Sequence, residues 1–233
     1  MKNLPFIILL ALSMGVTSCG DEENGGPEVS VTHDPGFFGA VELITSSNIT
    51  IQWAFDWSVV VDGRENDVND TEVFVSGGTL IIRENGSIHH DQHITIFTPF
   101  LFSIKTLGSS NVSGDFEVVD TTPIYVYSYG SGNIDLQFDT ANFMVIKHFG
   151  SGDVIISGQA NKTDLELTGS GWIRTFGVPT LTSIINLTGS GNAEVHVADD
   201  LDVVLSGSGN VHYKGHPNIN SQISGSGQII DAN

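Results

Sequence analysis

The chain has 233 residues, with 27 Asp and Glu against 8 Lys and Arg, a formal charge of −19, 27 Gly and a single Cys. That length fits one large or two small domains and can bury a real core. The scattered basic residues exclude nucleic acid and anionic lipid surfaces as partners, since both need clustered Lys and Arg, and a hydrophobic content of 39% excludes a disordered chain.

Residues 1–18 read as a lipoprotein signal peptide. Lys2 supplies a short positive region and Leu4 to Val16 is nearly unbroken apolar sequence. The stretch is too short and too near the start to span a membrane. Val16-Thr17-Ser18-Cys19 resembles the lipobox of bacterial lipoproteins, in which the cysteine is lipidated and becomes the mature N-terminus; Val16 stands where Leu is usual. Cleavage would remove Lys2, taking the charge from −19 to −20, and would leave no second cysteine for an internal disulfide. Residues 19–36 carry Asp21, Glu22 and Glu23 without an apolar period, which predicts a flexible acidic tether. Gly20, in place of Asp after the cysteine, points to the outer membrane. Acidic residues just behind Cys19 also resemble a surface-export signal of some Gram-negative lineages.

The folded domain is expected over 37–233, as a divergent first half (37–107) and a regular repeat (108–233). In the first half, Ile49 to Val61, Thr71 to Ser76, Thr79 to Arg83, His93 to Phe97 and Leu101 to Thr106 alternate like strands. Gly77-Gly78 reads as a hairpin turn. This half is expected to start the repeat array and to cover its first edge, because an open edge invites pairing. His89-His90-Asp91-Gln92-His93 is the only metal-like cluster, but its spacing fits no usual site, so it reads as a polar loop. Asp62, Glu65, Asp67, Asp70 and Glu72 lack EF-hand spacing and read as a solvated loop.

The repeat is carried by Gly130-Ser131-Gly132, Gly150-Ser151-Gly152, Gly169-Ser170-Gly171, Gly189-Ser190-Gly191, Gly207-Ser208-Gly209 and Gly225-Ser226-Gly227. The spacing between successive motifs is nearly constant, and a degenerate copy, Gly108-Ser109-Ser110-Asn111, lies one such step before the first. Such a period means a solenoid. Apolar residues alternate on both sides of each motif, in matched columns such as Val126, Ile146, Leu165, Ile185 and Val203, or Leu167, Leu187, Leu205 and Ile223. A two-residue period turns these columns inward. The fold class is therefore all-β, a parallel β-helix with rungs of about 18–20 residues, stacked about 4.8 Å apart. Gly-Ser-Gly forms the corners, where stacking leaves little room for Cβ atoms. The position after it is Asn133, Asp153, Trp172, Asn192, Asn210 and Gln228; one carboxylate in six does not make a calcium column, whereas Asn side chains can hydrogen-bond along the stack.

These units resemble the auto-transporter adhesin head domain, the GIN domain, of secreted and surface proteins of Gram-negative bacteria. The resemblance rests on the Gly-Ser-Gly-Asn/Asp-apolar units, on Gly207 to Pro217 and on Ile223 to Ile229, and extends over roughly 37–233. It implies a right-handed β-helix on a surface-anchored protein, an adhesive role and no known catalytic residues. Trp172 and the broken copy at Gly108 depart from the pattern.

No catalytic residue, metal or cofactor is assigned, because no His or acid recurs beside the serine column to act as base. Tyr125, Tyr127 and Tyr129 share one outward face, with Phe149 matched to Tyr129 one rung on; such platforms suit sugar rings. Coverage of this patch by the first-half strands is the alternative. Arg174, Glu194 and His212 share an outward position on three rungs and read as a surface ion ladder. The function expected is a non-enzymatic envelope lipoprotein whose head binds a glycan or surface protein, as a monomer or weak dimer. The alternatives are a polysaccharide-active β-helix and a structural element associating end to end. Cys19→Ala is expected to move the protein from the membrane fraction to a soluble or unprocessed pool; unchanged fractionation, with no lipid mass on the wild type, would remove the anchor reading.

Overall fold

The computed structural model describes residues 25–86, 90–117 and 123–233; the signal peptide and Cys19 lie outside them. Alternation of apolar and polar residues builds almost every element, since a strand sends successive side chains to opposite faces. The first half contains β1 (Glu28–His33), β2 (Ala40–Ile44), β3 (Asn48–Trp53), β4 (Ser58–Arg64), α1 (Glu65–Asn69), β5 (Thr71–Ser76), β6 (Thr79–Glu84), β7 (His93–Thr98), β8 (Ser103–Gly108) and β9 (Val112–Phe116). The second half contains β10 (Ile124–Gly130), β11 (Ile134–Gly150), β12 (Asp153–Gly169), β13 (Trp172–Gly189), β14 (Asn192–Gly207), β15 (Val211–Lys214), β16 (Asn218–Gly225) and β17 (Ile229–Asp231).

The second half is the parallel β-solenoid expected. Strand segments before each corner stack into a first wall and those after it into a second. Val126, Ile146 and Leu165 lie in register on the first wall, and Ile134, Val154 and Ile173 on the second. All six are buried. The column of Leu167, Leu187 and Leu205 is buried too, but Ile223 on the last rung is 47% exposed because no further rung covers it.

The corners explain the glycines. A Cβ on Gly150 would stand 1.8 Å from the Gly130 carbonyl oxygen, and one on Gly209 would stand 1.8 Å from that of Gly191. Each first-glycine carbonyl in turn accepts the next corner: Ser190 and Gly191 N–H bond Gly169 O at 3.0 Å each, and Ser226 N–H bonds Gly207 O at 2.9 Å. The asparagines form the expected ladder. Asn133 Oδ1 accepts from Asp153 N at 2.9 Å, Asn192 Oδ1 from Asn210 N at 2.9 Å, and Asn210 Oδ1 from Gln228 N at 3.1 Å.

The first half starts the solenoid, but its rungs are stacked out of chain order. Rung β2–β3 lies between rung β6–β7 and rung β8–β9, with all these pairings parallel. Antiparallel strands then close the end: β5 on β6, β4 on β7, and β1 on β4. Gly77 and Gly78, with φ of +58° and +79°, make the β5–β6 hairpin turn expected.

Three readings of this half are corrected. The alternation over 49–61 is two strands, β3 and β4, which flank β7 on opposite sides. The tether expected over 19–36 does not extend through Glu28–His33, where β1 pairs with β4. There Val29 and Val31 pack against the core between polar neighbours, a short strand pattern that the acidic composition masks. The acidic stretch is not a solvated loop: Glu65 and Asp67 open α1, where carboxylates favour a helix N-terminus, and Asp67 is buried.

Leu187→Ala is expected to cost about 2–5 kcal/mol through the cavity it leaves, and Ser190→Ala about 1 kcal/mol or less. Gly209→Ala should unfold the last rungs despite adding one carbon. Denaturant melts of the three variants check the order; equal losses at Leu187 and Ser190 would invert the assignment of faces.

Candidate functional site

Tyr125, Tyr127 and Tyr129 stand on the outward side of β10, in the middle of the first wall. Tyr129 is 38% exposed and the other two are half-buried. Because β10 pairs edge to edge with β8 and β11, those strands lie beside the tyrosines. The Tyr125 and Tyr127 rings lie 6.1 Å apart and 10° from parallel; Tyr129 and Phe149 lie 5.1 Å apart and 4° from parallel. Four rings thus form two stacked pairs on a sheet face. Burial, and then Tyr125, push the Tyr127 hydroxyl above its usual pKa while Lys147 opposes, so it is a hydrogen-bond donor at neutral pH.

The register surrounds the platform with residues that sequence reasoning missed. Lys105 and Lys147 flank Tyr127 on the two neighbouring strands. Lys105 Nζ lies 3.2 Å from Glu42 Oε2, and Lys147 Nζ lies 2.9 Å from Glu166 Oε2. The bond to Glu166 is the main reason that Lys147 titrates above its usual range. Glu42, Lys105, Tyr127, Lys147 and Glu166 therefore form one row across five rungs, with no net charge. Leu107 sits in register with Tyr129 and extends its apolar row. The signal was available: Lys105 lies one rung spacing before Tyr127 in the sequence, and Lys147 lies one rung spacing after it.

Beneath this surface the column that carries Leu167 becomes polar, with Ser128 and His148, both buried. His148 Nε2 lies 2.7 Å from the Gly152 carbonyl oxygen; in the neutral ring it donates there. Burial lowers the His148 pKa, outweighing the Gly152 bond and Asp153.

The second wall carries the other outward ladder. Arg174, Glu194 and His212 lie in register. Arg174 reaches Asp153 at 3.1 Å and Glu194 at 3.5 Å and stacks over Trp172 at 4.2 Å, and the Trp172 ring stacks on His212 at 6.0 Å. Trp172 therefore replaces the Asn ladder with an aromatic–cation cluster. The histidine-rich segment is split. His90 Nδ1 lies 2.9 Å from Asp67 Oδ2, and His93 Nε2 lies 3.0 Å from Thr50 Oγ1; His89 lies outside the described residues. An open groove of 320 Å³ lies on the first wall near its last rung, lined by Lys162, Ile184, Asp200, Asp202 and neighbouring polar residues.

Stacked parallel rungs, closed at one end and carrying rows of side chains outside, define a β-solenoid head. The chain belongs to the family described as "Putative auto-transporter adhesin, head GIN domain", which matches residues 38–217. Among solved structures it is similar to a "putative adhesin" of Bacteroides fragilis, with 24% identity over 88% of this chain and 97% of that one, at a TM-score of 0.76. It is similar also to a "putative lipid binding protein" of Parabacteroides distasonis, with 22% identity, 90% and 98% coverage and a TM-score of 0.69. A "putative adhesin" of the same species gives 20% identity, 89% and 98% coverage and a TM-score of 0.62. At these identities the likeness is one of fold. No curated protein matches the chain.

Below about pH 6.5 an unfolded histidine takes up a proton that buried His148 refuses. Its contribution to stability is therefore full above that pH, falls as the pH drops towards the lowered folded value, and levels off below it. His148→Leu, which continues the leucine column, should reduce the loss of stability between pH 7 and pH 5. Urea melts at the two pH values check this; an unchanged loss would place the acid sensitivity elsewhere.

Proposed function

We propose that the chain is a non-enzymatic, lipid-anchored head at the outer membrane that holds a neutral glycan on its first wall. The observation that carries this reading is the pair of stacked aromatic pairs, Tyr125–Tyr127 and Tyr129–Phe149, on an outward sheet face. Sugar C–H groups pack against the exposed parts of aromatic rings, and ring hydroxyls bond to the polar groups at the margin. The tyrosine hydroxyls and the Lys105 and Lys147 ammonium groups supply such partners. Each lysine is matched by a carboxylate, so an uncharged sugar meets no unpaired charge. An acidic sugar would approach a molecule of formal charge −19.

The family description, an adhesin head, supports a binding role rather than turnover. The sequence supports the anchor and the address through Cys19 and Gly20, and a lipid on Cys19 is then the protein's contact with the membrane.

A glycan array probed with the chain from Gly20 onward tests the reading. Tyr127→Ala and Tyr129→Ala should each weaken the best hit by about tenfold, roughly 1.4 kcal/mol, with melting temperature kept. Trp172→Ala, on the other wall, should leave binding unchanged. An array without hits, or hits indifferent to both tyrosines, would overturn the platform.

A further inference from the structure

We propose that the C-terminal end of the solenoid is a self-association surface, on which a second copy of the chain pairs antiparallel along β16. All eight residues of β16 are exposed, and among the described residues it pairs with β14 alone. Ile219 and Ile223 are 41% and 47% exposed, whereas Leu201 and Leu205, in register with them one rung earlier, are buried. Two apolar side chains and a row of backbone hydrogen-bonding groups are thus left open together.

Charge selects the partner. From Pro217 to Ile230 the sequence has no Asp, Glu, Lys or Arg, in a chain of formal charge −19. The preceding rung is acidic, but Asn218 and Asn220 bond its Asp200 and Asp202 at 3.4 and 3.1 Å. The β16 edge is therefore one that two copies can bring together without setting carboxylate against carboxylate. Edge strands are commonly guarded by a lysine, a proline or a bulge. β16 has no lysine or proline, and its register with β14 is unbroken.

Topology selects the geometry. The opposite end is covered by antiparallel β1, β4 and β5, which do not offer the parallel rung that head-to-tail stacking would continue. On the second wall, the Asn233 carboxamide accepts from Gly215 N at 2.8 Å and donates to Gly215 O at 2.9 Å, filling the place of a further peptide. β17 on the second wall also keeps an open edge, but it offers three residues, one of them Asp231, so the longer uncharged edge is that of β16 on the first wall, and two such edges meet like to like. Such a contact is two-fold symmetric and closes at a dimer. Antiparallel pairing keeps inward residues opposite inward residues when it is centred on Ser221. Ile219 then faces Ile223 of the second copy, and Ser221 faces Ser221. The run Ile219-Asn220-Ser221-Gln222-Ile223 is self-complementary in this register. The two β1 strands would lie at opposite ends of a doubled rod.

Sedimentation equilibrium of the chain from Gly20 onward, which contains every described residue and no cysteine, is the test. The mass should rise from one copy towards two with concentration, and more readily at high salt, which screens the like charge of the bodies. Ile223→Lys should remain a monomer throughout while keeping the wild-type circular dichroism. Ser221→Cys should form a disulfide-linked dimer under mild oxidation, and Ser76→Cys, on β5 at the closed end, should not. A monomer at high concentration and high salt overturns the proposal. So does a dimer that Ile223→Lys leaves intact, or cross-linking no faster at Ser221 than at Ser76.

Discussion

The close approach of one corner's carbonyl oxygen to the next corner's Cα sets the geometry of the whole molecule. Where a Cβ on Gly130 would stand 1.9 Å from the Gly108 oxygen, or one on Gly150 stand 1.8 Å from the Gly130 oxygen, nothing larger than hydrogen fits. That contact holds neighbouring corners at strand spacing, so every residue at a fixed distance from the corner falls into a column. The leucine column, the Asn ladder and the outward aromatic row all follow from it. The hydrogen bonds from Ser and second-Gly amides to first-Gly carbonyls then satisfy groups that a sharp turn would otherwise leave bare.

A stack held together in this way has a difficulty at its ends, where the last corner lacks a neighbour. The chain meets it with side chains that imitate backbone. One rung in from the closed end, the corner Thr45-Ser46-Ser47 meets a side chain of the outer rung where a stacked corner would offer backbone. The Glu84 carboxylate takes Ser46 N at 2.8 Å and Ser47 N at 3.2 Å, and accepts from the Thr45 and Ser46 hydroxyls as well. Asn233 does the equivalent at Gly215, and its own N–H bonds to Asp231, which holds that carboxyl below its usual range. Among the described residues, the first wall at the C-terminal end lacks such a substitute.

Much of the second half was legible in the sequence because corner, column and rung are all local. Gly-Ser-Gly at near-constant spacing fixes the register, and register alone places Leu167 over Leu187 and Tyr129 beside Phe149. The first half was legible as strands but not as an arrangement. Two-residue alternation is the same in β3, which runs parallel to β7, and in β4, which runs antiparallel to it, so periodicity cannot order them. Nor does it show that β6–β7 lies outside β2–β3, an order fixed by pairings between distant parts of the chain, such as Val41 with Leu80 and Ile49 with Ile94. β1 was hidden by its acidic neighbours, and α1 by a composition that suits a loop equally well. The platform's rings were found from parity, but its lysines were missed because each belongs to a different rung. Ser128 and His148 were missed for a related reason. A polar residue in an apolar column looks like the column's end until the neighbouring rungs show it enclosed.

The same constraint explains where this architecture can vary. Corner and inward positions are committed to stacking, which leaves the outward positions free to vary without disturbing the fold. Outward residues one rung apart stand about 4.8 Å from each other, close enough for rings to stack and for ion pairs to form along the axis. Glu42, Lys105, Tyr127, Lys147 and Glu166 come from five separate rungs, yet two ion pairs bracket the central ring. A row of this kind is flat and regular. Its side chains are held by neighbours on both sides, so little conformational freedom remains to be lost when a ligand binds. A flat row of this kind suits an extended ligand laid across the rungs.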